Sequence, residues 1–356
     1  MLNRFIDIER LIHSTKTAIA CVIGIFLFNL IGIPAAQWIV ITVIVVMCAQ
    51  IYVGSVMQKS YLRFLGTLIG CLFAAFTLTV AGSSKLAIMV TVTLSSFVFS
   101  YIATGRENLT YTGTLGAVTT AIIMLNVQPT LFVATQRFLE ISAGILIAAI
   151  VSQFILPIHA STHLRRAQAK TLEQLRDYYI RSMINHQPGE QDQDYQELDE
   201  NIVKSLLKQR QLAKESRSEP LGSDFDPTHF MQSLYCEREM PRAITFMHNA
   251  ISHVKKAAVI FHQMPGSHQF NETIIQSLNT LIAVIAAEEA PQDHIHIPSL
   301  EPLKEELQKH IEAPTREELI YVDGLLFCAE VLLNSLARLA ALYHVNIYEA
   351  GNQAPA

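Results

Sequence analysis

The chain has 356 residues, 51% hydrophobic and 16% charged, with a net charge of −5 at neutral pH and a mean hydropathy of +0.30. Soluble proteins of this size carry about 25% charged residues; here only seven charged residues fall between Thr17 and Pro157, while 45 follow Pro157, where the net charge is −9. This composition excludes disorder, collagen-like repeats and a disulfide scaffold, and the acidic second half excludes a nucleic-acid binder.

In chain order, residues 1–16 read as a basic cytoplasmic segment carrying Arg4, Arg10 and Lys16. Six apolar runs follow, at about 17–33, 37–54, 64–81, 86–103, 110–127 and 138–157. Each is close to the length a helix needs to cross about 30 Å of hydrocarbon. Turn residues and charges separate them, beginning with Gly32 to Pro34, so the first two runs predict a tight helical hairpin. Five further runs after the first argue for an uncleaved span rather than a signal peptide. Counting lysine and arginine in the short loops places both termini in the cytoplasm, with only Lys85 and Arg137 outside.

Residues 158–356 predict a cytoplasmic helical domain. Leu164, Leu172, Leu175, Tyr179 and Met183 share one helical face, and His294 to His296 reads as loop. Leu319, Val322, Leu326, Ala329, Leu333, Leu336, Ala340 and Tyr343 step by three and four as a heptad seam. Thr315 with Glu318 predicts a capping box at its start. Glu330 and Arg338 make this stretch a soluble helix rather than a seventh span.

Sliding the sequence by 74 residues aligns Arg63, Phe64, Leu65 and Gly70 with Arg137, Phe138, Leu139 and Gly144. Each copy holds three spans, an odd number, so the second copy is expected inverted in the membrane. The predicted fold is an all-α membrane protein: six transmembrane helices as two inverted three-helix repeats, plus a C-terminal cytoplasmic helical bundle. Inverted repeats are a common plan of secondary transporters.

Lys16-Thr-Ala through Pro34, then Gln37-Trp38, Arg63-Phe-Leu-Gly-Thr-Leu-Ile-Gly70, and in the second copy Arg137, Glu140, Gly144 and Leu156-Pro157, resemble the fusaric acid resistance (FUSC) family. The family includes aromatic acid exporters, and plant aluminium-activated malate transporters look like distant relatives. Many members hold two membrane-plus-soluble units. A chain with one such unit resembles a short member, which implies a homodimer in the lipid bilayer of the bacterial inner membrane.

Arg63 and Arg137 lead the candidates for a substrate pathway, because guanidinium keeps its charge and grips carboxylates with a two-pronged fork. Their alternative role is to snorkel to headgroups. Glu140 stands one turn after Arg137, where it can pair with it or carry protons. The single tryptophan, Trp38, is an interfacial anchor or a shaper of the pore mouth. Gln50 and Asn126 are read as polar groups within spans, and Gly66, Gly70, Gly113, Gly116 and Gly144 as helix-packing positions. The five cysteines and thirteen histidines show no metal-ligand spacing, and no catalytic, ATP or dinucleotide motif appears, so neither enzyme activity, metal nor cofactor is expected. The expected function is an exporter of small organic, aromatic anions driven by a gradient. A passive anion channel and a membrane-anchored adaptor of an efflux assembly are the alternatives.

Overall fold

The computed structural model describes residues 8–31, 37–105, 107–184, 193–219, 225–253, 264–287, 294–310 and 315–349. They form two compact units, Met1–Ala160 with Glu215–Ser223, and Ser161–Lys214 with Asp224–Ala356.

The first unit holds α1 (Ile8–Ile31), α2 (Gln37–Met47), α3 (Val53–Val80), α4 (Lys85–Gly105), α5 (Glu107–Met124) and α6 (Leu131–Phe154). Helices α1, α3, α4 and α6 are long and apolar enough to cross a membrane. The eleven residues of α2 rise only about 16 Å, short of the hydrocarbon thickness, so the expected span 37–54 is corrected to a short helix followed by a turn. The helix starts also differ from the apolar runs: α1 begins at Ile8, α3 at Val53 and α6 at Leu131. Hydropathy stops at a charge, whereas a helix continues through it when the charged side chain is buried against a neighbour. The expected turn at Gly32 to Pro34 lies outside the described residues.

Local chemistry sets the ends of α6. Thr130 caps it, its hydroxyl accepting the Val133 N–H at 3.3 Å. It closes where Leu156 takes the left-handed φ of 46° ahead of Pro157.

Packing in this unit pairs α3 with α5 and α2 with α6, α4 with α5 and α1 with α2, while α3 lies against α6. Exchanging α1–α3 for α4–α6 reproduces the same set of contacts. The helix ends match as well: Ile31 and Gly105, and Val80 and Phe154, each stand 74 residues apart. Helices α3 and α6 run antiparallel. Phe64 meets Phe138 at a ring-centroid distance of 5.7 Å, and seven residues further along α3 the Cys71 thiol reaches the carbonyl of Ala134, earlier on α6, at 3.8 Å.

The second unit contains α7 (Ala160–Tyr179, widening into a π turn at Ile180–Ile184), α8 (Gln193–Ser216), α9 (Pro227–His253), α10 (Pro265–Ala286), α11 (Glu301–His310) and α12 (Arg316–Leu342). By length and apolarity α12 also qualifies as a membrane span. Its Leu325, Ala329, Leu332, Leu336 and Leu339 lie in the core of this unit, with Met240, Ile244, Leu278 and Leu281. Thr315 and Glu318 form the full capping box. Leu319, the first residue of the expected seam, is exposed. Leu172, Leu175, Tyr179 and Met183 of α7 are buried as one face.

The all-helical expectation and the loop at His294 to His296 are corrected by two strands, β1 (His294–Ile297) and β2 (Asn346–Glu349), which pair in parallel with His294 opposite Asn346. Four-residue strands that pair across some fifty positions leave no periodicity to read.

At the centre of this unit Glu237 of α9 is fully buried. It accepts hydrogen bonds from Gln209 of α8 (2.5 Å) and from Ser233 (3.0 Å), while Gln168 of α7 donates to Ser233 (3.0 Å). Burial pushes its carboxyl from 4.5 up to about 7, against the pull of those donors. Between these two values the folded chain holds a proton that the unfolded chain has released, so stability falls as pH rises from about 4.5 to 7. The effect amounts to about 3 kcal/mol. Glu237→Gln is expected to flatten this part of the pH dependence and to raise the melting temperature at pH 8; identical slopes in both proteins would contradict the assignment.

Candidate functional site

Within α1–α6 the buried charged side chains, among the described residues, are Lys16, Arg63, Arg137 and Glu140. Three cations stand against one anion. Charges at membrane depth are costly and face a cavity or a partner, so each of the four calls for an explanation from its neighbours.

Arg137 has its explanation. Its guanidinium donates to Glu140 at 2.7 Å, one helical turn away, and lies 5.0 Å from the ring centroid of Trp38 on α2. Gln136 donates to the other Glu140 oxygen at 2.8 Å. The structure thus brings together Trp38, Arg137 and Glu140, with Gln136 as a member that sequence reasoning passed over. The i, i+4 spacing of Gln136 to Glu140 was the available signal.

Arg63 is different. It is 4% exposed, and among the described residues it makes no ion pair or hydrogen bond; its Nε is buried without a partner. Its neighbour is Tyr111 of α5, which interacts with it electrostatically, and the Lys59 ammonium lies 5.4 Å from the same tyrosine ring. The helix starting at Val53 puts Arg63 ten residues inside α3 rather than at the mouth of a span. Each arginine therefore sits beside one aromatic residue of the short helix packed against it, Tyr111 for Arg63 and Trp38 for Arg137. The difference lies one turn on. The position 74 residues before Glu140 is Gly66, which has no side chain to neutralise Arg63.

Lys16 was expected in the N-terminal segment outside the spans. It is instead 1% exposed within α1, its ammonium 3.4 Å from the Ser152 carbonyl of α6. The buried face His13, Lys16, Ala20, spaced by three and four, was the signal. Its alternation with apolar residues is weak because neighbouring Thr15 and Ser14 are also polar.

Gln50 and Asn126 fall in turns rather than within helices. The Gln50 N–H donates to Met47 O at 2.8 Å beyond the end of α2, and the Asn126 side chain accepts the Gln128 N–H at 3.3 Å after α5. Gln50 closes off its helix end with its backbone alone, whereas the Asn126 side chain makes the local turn contact usual for asparagine outside a helix. The glycines sit at close approaches. A Cβ at Gly66, Gly70, Gly113 or Gly144 would stand 2.6 Å from a carbonyl oxygen of a neighbouring helix, namely those of Thr112, Gly116, Phe99 and Ile39. At Gly116 it would run into the Phe99 ring. Small residues at such crossings let backbones approach in the membrane. Among the described residues, no group of three or more histidine, cysteine or acidic side chains gathers as a metal site.

A model of the fusaric acid resistance protein family matches residues 10–224, more than half of the chain and both helices that carry Arg63 and Arg137. The chain belongs to this family. It is accordingly a membrane protein of a transport and efflux family, as the resemblance implied. Among curated proteins it is similar to inner membrane protein YeeA of Escherichia coli (strain K12), with 26% identity over 170 residues. That match covers 48% of this chain and 47% of the relative's own length. The family match takes in α1–α8, so both arginine sites lie inside the family region, whereas α9–α12 lie beyond it.

Proposed function

We propose that this chain exports small organic anions across the bacterial inner membrane, with Arg63 as the fixed charge that meets the substrate carboxylate. The observation that carries this reading is the contrast between the two arginines: Arg137 is paired with Glu140, and Arg63 is equally buried without a counter-ion among the described residues. A guanidinium in that condition is costly when empty and gains most from a bound carboxylate or similar anion. The excess of buried cations in α1–α6 acts in the same sense.

In this reading α1–α3 and α4–α6 are inverted repeats of one transporter core, with the termini and the second unit in the cytoplasm. The exchange-symmetric packing supports it, and so does the contact of Phe64 with Phe138. A residue meets its own repeat counterpart only near the axis that relates the copies, and transporter ligand sites lie near such axes. Arg63 and Arg137 each precede one of these phenylalanines. The inner-membrane location follows the name of the relative, and the homodimer follows from the likeness to double-unit members. Aromatic acids are the proposed substrates, since Tyr111 and Trp38 flank the two guanidinium groups.

Benzoate flux in proteoliposomes tests the mechanism. Arg63→Ala is expected to lower flux at least tenfold at unchanged membrane abundance, and Arg63→Lys to retain an intermediate rate. Full flux in Arg63→Ala would remove this role. Flux that follows an imposed ion gradient fits an exporter, whereas single-channel currents would make the protein an anion channel.

A further inference from the structure

The second unit carries a concavity that the transport reading does not use. Helices α8 and α9 border a groove of about 440 Å³, within the range of small-molecule sites. Its floor is apolar, formed by Ile202, Leu206 and Leu234, and it is flanked by Val203, Leu207 and Phe246. Leu207 is 58% and Phe246 63% exposed, although well-packed positions are available to large apolar side chains elsewhere in this unit.

Three arginines join this apolar lining: Arg210, Arg238 and Arg242. Asp199 is the single carboxylate among the described lining residues. Arg242 bonds Glu239 at 3.0 Å, and Arg238 stands 3.9 Å from the same oxygen, so these two share one counter-ion. The Nε of Arg238 is buried without a partner, and Arg210 has no ion pair or hydrogen bond among the described residues. The concentration of positive charge is unexpected in a part of the chain whose net charge is −9.

We propose that the α8–α9 groove binds a small amphipathic organic anion, its apolar body lying on Leu206, Leu207 and Phe246 and its acidic group held by Arg210 and Arg238. Charge complementarity selects this occupant. Guanidinium forks suit a carboxylate or sulfonate, an apolar floor rejects small hydrophilic anions, and the volume accommodates one or two rings. The site is separate from Arg63 and gives the second unit a ligand of its own, as an effector site needs.

The test is isothermal titration of the full-length, detergent-solubilised protein with 2-naphthoate. Acetate serves as the anion without an apolar body and 2-naphthol as the body without a charge at pH 7. Saturable 2-naphthoate binding is expected in Arg63→Gln, which leaves the groove as the remaining site, with no comparable response to either control. Adding Arg210→Gln with Arg238→Gln, or adding Leu207→Asp, is expected to weaken that binding at least tenfold. Leu207 and Arg210 are exposed, so their replacement leaves the core intact, and unchanged thermal melts of these variants verify it. Absence of 2-naphthoate binding in Arg63→Gln overturns the proposal, as do equal binding of 2-naphthol and indifference to the groove substitutions. Benzoate flux keeps the two readings apart: loss of groove binding with Arg63-dependent flux intact removes this inference alone, and groove binding with Arg63-independent flux removes the proposed role of Arg63 alone.

Discussion

Glu140→Ala is expected to destabilise the membrane unit by about 3–5 kcal/mol, the range seen when one member of a buried ion pair is removed and the other is left behind. Arg137 and Glu140 are both buried and 2.7 Å apart, and Gln136 donates to the same carboxylate, so two side chains depend on it. The double replacement of Arg137 and Glu140 by alanine is expected to recover much of the loss, because it removes the stranded charge together with its partner. Thermal unfolding in detergent measures both. The fluorescence of Trp38, the single tryptophan and 5.0 Å from the Arg137 guanidinium, reports whether the site itself rearranges. A double variant no more stable than Glu140→Ala would show that the pair is not the unit that matters.

Gly144→Leu is expected to be at least as damaging as overpacked cores commonly are, about 3 kcal/mol or more. Even the first added carbon would lie 2.6 Å from the Ile39 carbonyl oxygen and 2.7 Å from Thr42 Cβ, so α2 must move away from α6. Backbone cannot rotate aside as a flexible side chain can. The displaced helix carries Trp38, which meets Arg137 two turns before Gly144 on α6, and the indole emission is expected to shift as α2 separates. Gly105→Ala is the control: nothing stands within 4 Å of that position, and it is expected to melt as the unaltered protein does. A Gly144→Leu protein of full stability would mean that the α2–α6 crossing is looser than the structure has it.

The membrane character and the family were legible before any coordinates, each for a physical reason. Apolar runs declare themselves by composition, since hydrocarbon admits few charges. The 74-residue repeat was carried by Arg63 and Arg137, rare charges on an apolar background and therefore informative where aliphatic matches are not. The capping box at Thr315 was legible because its two partners are three residues apart. What escaped was non-local. The depth of Arg63 depends on α3 running on to Val53, through Lys59, which hydropathy treats as a boundary. The burial of Lys16 depends on Ser152, 136 residues away. The β1–β2 pair joins residues with no local pattern, and the groove with Arg210 and Arg238 exists only because α8 and α9 pack side by side.

By itself, then, the sequence determined where apolar surface and rare charges lie along the chain, because transfer energies and helical spacing are local properties. The tertiary structure decided which of those charges are neutralised. The sequence already offers Arg137 an acid one turn on where Arg63 has Gly66; that no acid from another helix reaches Arg63 among the described residues, with Gly66 tight against the Thr112 carbonyl, is decided by the packing. Whether a buried charge is satisfied depends on every group around it, and those neighbours come from distant parts of the chain.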